Sequence, residues 1–90
     1  MQDIIYGMVD TVIDGDTFII NVNETYKSNR NTYNRWERIR IANIDAEELN
    51  MFRGKRDKAK LERVVQGRVV RCSVQSRDKF GRVVADVKII

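Results

Sequence analysis

Ninety residues, 42% hydrophobic and 33% charged, describe one globular domain (residues 1–90) rather than a disordered segment. A single cysteine and no histidine exclude an internal disulfide and zinc sites built on several Cys and His ligands. Seventeen Lys and Arg against thirteen Asp and Glu give a net charge of +4, a mild excess that suits a polyanionic partner and equally a solvated surface.

Residues 4–13 (IIYGMVDTVI) are rich in β-branched side chains and stop at Asp14-Gly15, a strong turn signal, which predicts a first strand. Phe18, Ile20 and Val22 then alternate with Thr17, Ile19, Asn21 and Asn23, as in a half-buried second strand. Residues 23–35 are asparagine-rich, with Lys27, Ser28, Arg30 and Arg35, and read as an extended loop or hairpin tip. From Trp36 to Ile44 the alternation returns, with Ile39 and Ile41 on one face and Arg38 and Arg40 on the other. Ala59, Leu61, Val64 and Val65 change to helical spacing and Gly67 stands where a C-terminal glycine belongs, so the spacing predicts a helix over about residues 55–66. Val70, Cys72 and Val74 alternate again, DKFGR (78–82) makes a tight turn, and residues 83–90 form the last strand. The order of three strands, one helix and two strands is that of a mainly β, α+β fold: the five-stranded Greek-key barrel of the oligonucleotide/oligosaccharide-binding (OB) class, with its helix between strands 3 and 4. An α+β sandwich with the same element order would share the pattern.

Three polar stretches carry the candidate chemistry. Asp14-Gly15-Asp16 reads as a two-residue hairpin turn, and also as a turn that projects the Asp16 carboxylate from the start of a strand. Ile44-Asp45-Ala46-Glu47-Glu48 has the spacing of a capping box, yet the apolar-periodic helix begins only near residue 55, so Asp45 and Glu48 can equally face one site from a strand end. Arg40 lies five residues before Asp45, an odd step that would separate them on a flat strand unless the strand bends or bulges. Asp78-Lys79-Phe80-Gly81-Arg82 is a hairpin turn with Gly81 at a left-handed position and a cation at its exit. Acids for a hard cation beside guanidinium forks for phosphate are the mixture that phosphodiester chemistry needs.

In combination these stretches resemble the staphylococcal nuclease (thermonuclease-like) family, whose Asp-Gly-Asp-Thr turn, Arg-x-x-x-x-Asp-x-x-Glu segment, helix and Lys-aromatic-Gly-Arg turn occur here in order over nearly the whole chain. The resemblance implies an OB-fold nuclease. Ca²⁺ would be held by Asp16, Asp45 and the backbone carbonyl of Ala46, and Glu48 would contact the attacking water. Arg40 and Arg82 would grip the phosphate, with Lys79 and Phe80 as further substrate contacts. It also implies hydrolysis of DNA or RNA, single-stranded or from a fraying duplex, to 3′-phosphate products. Three positions depart from the family pattern: Glu47 stands where proline is usual, Phe80 replaces a tyrosine, and the chain stops at Ile90, where the family continues into C-terminal helices. The apolar ending Val87-Lys88-Ile89-Ile90 therefore suggests a trimmed chain missing its C-terminal segment, a fold completed by a partner, or a homo-oligomer covering the last strand.

Eight Lys and Arg against two acids in residues 53–71 form either a solvated helix face or a track for a nucleic acid backbone. Tyr26, Tyr33 and Trp36 interleave with Lys27, Arg30 and Arg35, as stacking platforms for bases or as parts of a plain hairpin. A non-catalytic module that binds nucleic acid or protein on the same barrel is the alternative function. No apolar run reaches membrane-spanning length, and MQDIIYG has none of the parts of a signal peptide. The expectation is a cytoplasmic protein with no membrane partner, or a secreted one if a leader has been removed.

Overall fold

The computed structural model describes residues 2–45 and 57–90, of Asp45 the backbone alone. Strands β1 (Asp3–Asp14), β2 (Thr17–Thr25) and β3 (Trp36–Asp45) are followed by helix α1 (Lys58–Val65) and strands β4 (Val69–Arg77) and β5 (Val83–Ile89). The strands close into a barrel in the order β1-β2-β3-β5-β4, with β4 pairing back onto β1. Only the β3–β5 pair is parallel. This is the OB order expected from the alternation, and an open sandwich is ruled out by the closure. β5 lies between β3 and β4, so the last strand has neighbours on both sides.

The inward residues of every strand meet in one core. Phe18, Ile5, Ile20, Ile39 and Val83 are fully buried there, and Leu61, Val64 and Val65 of α1 cover one end. α1 begins at Lys58, inside the expected span. Asp57 is extended (φ −125°, ψ 122°), and its carboxylate accepts the Ala59 and Lys60 amides at 2.9 and 3.3 Å. The chain leaves the helix through Gly67 (φ 73°), whose amide donates to the Val9 carbonyl at 3.1 Å.

Two irregularities shape the wall. β1 pairs with both β2 and β4, and Gly7 lies where it presses on β2: a Cβ there would sit 2.6 Å from the Asn21 carbonyl oxygen. In β3 the pairing with β5 shifts between Ile41 and Asn43, leaving Ala42 as an extra residue. Ile41 and Ile44 are consequently both buried although three residues apart, an odd step.

The long loop of residues 26–35 is tied to the barrel rather than projecting from it. The Asp3 carboxylate accepts the amides of Arg30 (2.8 Å) and Asn31 (3.1 Å), the Asn31 side chain (3.1 Å) and the Tyr33 hydroxyl (2.7 Å). The Arg30 amide and the Tyr33 hydroxyl, acting against partial burial, hold the Asp3 carboxyl down at about 2. Burial and the Asp3 charge push Tyr33 up to about 12. Tyr26 stacks on Tyr6 with ring centroids 6.0 Å apart. Two of the three aromatic rings proposed as base platforms thus have structural tasks. Trp36 does not.

Candidate active site

Backbone pairing places the first two groups. Thr17 of β2 lies opposite Arg40 of β3, and the Ile41 amide donates to the Asp16 carbonyl at 2.8 Å, so the turn at 14–16 is registered on the middle of β3. Within that turn the Asp14 carboxylate accepts the Asp16 amide (3.1 Å), the local bond typical of aspartate in tight turns. The Asp16 carboxylate accepts the Thr17 hydroxyl at 2.9 Å and stands 3.6 Å from Arg40 Nε. At 3.6 Å the Asp16–Arg40 contact is an ion pair without a proper hydrogen bond. Its side chains are 30% and 47% exposed, so the pair itself is worth at most about 1 kcal/mol. Strand register, not mutual attraction, brings this acid and this guanidinium together.

The second element is the β4–β5 hairpin, built on Asp78. Its carboxylate accepts the amides of Phe80 (3.0 Å) and Arg82 (2.9 Å) and the Arg82 Nε at 2.7 Å, while Gly81 takes φ 84°. Burial pulls the Asp78 carboxyl up, but the Arg82 amide and guanidinium and the Phe80 amide outweigh it and hold the group below its usual range. Phe80 stays 68% exposed, with Lys79 Nζ and Arg82 Cζ each 5.3 Å from its ring centroid.

Between turn and hairpin runs a hollow of about 440 Å³ lined by Ile13, Asp14, Thr17, Arg38, Phe80 and Arg82. Since Ile39 pairs with Val83 and Arg40 with Val84, Arg82 falls at the level of Arg38 rather than of Arg40. The structure therefore pairs Asp16 with Arg40 and gathers Phe80 and Arg82 with Arg38 around the hollow, with Lys79 against the Phe80 ring. Asp45 ends β3, beyond the shift in pairing at Ala42, and its side chain lies outside the described residues. Ala46 and Glu48 lie outside the described residues. Arg38 was not predicted as a site residue, and Trp36 only as one of three rings that could stack bases. Their signal was the outward alternation Trp36-Arg38-Arg40 along β3. A larger hollow of about 790 Å³, lined among others by Asp3, Tyr33 and Arg77, contains none of the predicted residues. Its Asp3 carboxylate is spent on four hydrogen bonds.

Comparison with known proteins adds one likeness. No family model matches the chain, and no solved structure does. The chain is similar to an uncharacterized endonuclease of Escherichia coli, 34% identical over 83 residues that cover 92% of this chain and 48% of that protein. It thus spans about half the length of the curated relative it matches.

Proposed function

We propose that this chain is a metal-dependent nuclease domain that hydrolyses phosphodiester bonds of DNA or RNA. The observation that carries the reading is the Asp16–Arg40 juxtaposition across β2 and β3, next to a hollow bearing Arg38 and Arg82. Asp16 and Arg40, with side chains 30% and 47% exposed, are held by backbone register where a phosphate or a cation can reach them, and the exposed Arg38 adds a guanidinium beside them. The E. coli protein's name as an endonuclease supports the same class of chemistry.

Asp16, as a partly exposed hard-oxygen donor at the rigid start of β2, fits Ca²⁺, and Asp45 and the Ala46 carbonyl complete the donor set we assign to it. When bound, the cation would offset the negative charge of the scissile phosphate. In this reading Arg40 and Arg82 grip the non-bridging oxygens, a planar two-pronged hold that lysine does not reproduce. Glu48 accepts a proton from the attacking water. The water oxygen bonds to phosphorus, the bond to the 5′-oxygen breaks, that oxygen takes up a proton from solvent to balance the one Glu48 accepted, and the phosphate remains on the 3′ side. Lys79 and Phe80 hold the substrate beside the reacting group.

The test is digestion of single-stranded DNA and RNA with Ca²⁺ or with chelator, alongside Asp16→Asn, Glu48→Gln and Arg82→Ala. Cleavage that needs Ca²⁺ and falls at least about 100-fold in each variant is the expected result. Cleavage indifferent to all three variants would overturn the assignment, and binding without cleavage would establish the non-catalytic module instead. Independently of activity, Ca²⁺ is expected to raise the melting temperature of the wild type and not of Asp16→Asn.

A further inference from the structure

The outer face of β2 and β3 carries a second hollow beside the one described. It has a volume of about 280 Å³ and is lined by Ile19, Trp36, Glu37, Arg38, Phe80 and Gly81. Phe80 and Arg38 line both hollows, so the two share a wall made of an aromatic ring and a cation. Trp36, which lines the new hollow and not the first, is 50% exposed, and Phe80 is 68% exposed. Exposed rings of this size on a small domain call for a reason, and both are held in place. Trp36 sits on β3 opposite Asn21, next to the buried Glu37, and Phe80 sits on a hairpin pinned by Asp78. Arg38 is exposed and makes no ion pair among the described residues.

We infer that these two hollows are adjacent nucleotide subsites for a single strand: an unpaired base stacks in the space between Trp36 and Phe80, and Arg38 binds the phosphate linking it to the nucleotide in the hollow beside Arg82. The inference rests on the nucleic-acid reading above and deepens it by naming the residues that would hold an unpaired base and its phosphate. Aromatic faces reward any base with an open face, whatever its sequence. A duplex hides both faces of its bases, so it offers Trp36 and Phe80 nothing to stack on. The cations Arg38, Lys79 and Arg82 along the same strip match a phosphate backbone, and the strip is continuous with Asp16 and Arg40 through Thr17. Since OB barrels present their ligand-binding face on strands 2 and 3 and the adjoining loops, the location agrees with the chemistry.

Trp36 is the sole tryptophan of the chain, so its fluorescence reports on this subsite directly. The experiment titrates the full chain, in chelator so that nothing is cleaved, with a 12-mer of oligothymidylate and with a blunt duplex of equal length. Binding is followed in parallel by the anisotropy of an end-labelled strand. The single strand is expected to quench Trp36 emission at a concentration at least about tenfold below the duplex. Trp36→Ala and Phe80→Leu are each expected to weaken single-strand binding roughly 5- to 100-fold, while Trp36→Phe keeps most of it. Arg38→Ala should lower the affinity and flatten its salt dependence by about one phosphate contact. Binding without quenching, equal quenching by the duplex, or unchanged affinity in Trp36→Ala and Phe80→Leu would each overturn the inference. So would the absence of any binding. Quenching by the single strand in a chain that never cleaves would uphold the subsites and sink only the nuclease reading.

Discussion

Glu37→Ala is the substitution through which the geometry of this face is best tested. Glu37 is 3% exposed, and its carboxylate accepts both Arg77 Nη atoms at 3.1 Å and the Asn34 amide at 2.9 Å. The same Arg77 donates to the Gly81 carbonyl at 2.8 Å, so one acid ties the loop before β3 to the hairpin that carries Phe80. Removing one member of a buried, hydrogen-bonded ion pair costs about 3–5 kcal/mol. Arg77 is 39% exposed and regains water, which lowers the cost to about 2–3 kcal/mol. For a domain of this size that is a fall in melting temperature of roughly 10–20 °C, read by far-UV circular dichroism. Arg77→Ala leaves Glu37 buried with only the Asn34 amide and should cost a similar amount. The double variant should be less destabilised than the sum by about 1–2 kcal/mol, because neither charge is then stranded. Single variants that melt within about 3 °C of wild type, or that add to the double within about 0.5 kcal/mol, would refute the reasoning.

Two further perturbations follow from the fold. Gly7→Ala drives a methyl group to 2.6 Å from the Asn21 carbonyl and 3.0 Å from Ile20 Cδ1, so urea unfolding should show a loss of roughly 1–3 kcal/mol; an unchanged midpoint would mean that β1 and β2 separate without cost. Asp3 titrates at about 2 in the fold against 3.8 ordinarily, so its contribution is complete above pH about 4 and vanishes as pH falls toward 2. Acid titration followed by circular dichroism should accordingly lose less stability between pH 4 and 2 in Asp3→Asn than in wild type, from a lower starting value. A parallel decline in both proteins would remove Asp3 as the cause.

Much of the barrel was legible because its signals are local. Alternation in Phe18-Ile20 and Ile39-Ile41, the Asp14-Gly15 turn and Gly67 each announce themselves within a few residues, and the strand order followed from the order of elements. What escaped depends on partners distant in sequence. Glu37 has the inward parity of Ile39 and Ile41, but its burial is tolerable only because Arg77, forty residues away, arrives at the same rim. Asp3 looks like a charged strand start until the loop of residues 30–33 closes over it. The odd step from Arg40 to Asp45 raised the option of a bulge, but its place at Ala42 is set only by the register with β5. The start of α1 at Lys58 rather than near residue 55 reflects a cap: Asp57 carries an acid that reads as one more charge in a basic run. At the site, Asp16 and Arg40 were expected in one cluster and do meet, Trp36 was offered as a stacking platform that a plain hairpin explains as well, and Arg38 was passed over because an outward residue on an alternating strand is ordinarily solvated.

Closure of the barrel has a consequence for how its face can change. Every strand has two hydrogen-bonded neighbours, so the backbone positions of residues 19, 21, 36, 38 and 40 are dictated by ladders and by the core behind them. The side chains at these places contribute little to that scaffold. On the nucleic-acid reading proposed above, they form a short interchangeable alphabet written on a fixed page: substituting them is expected to alter which ligand is read while the fold beneath stays the same.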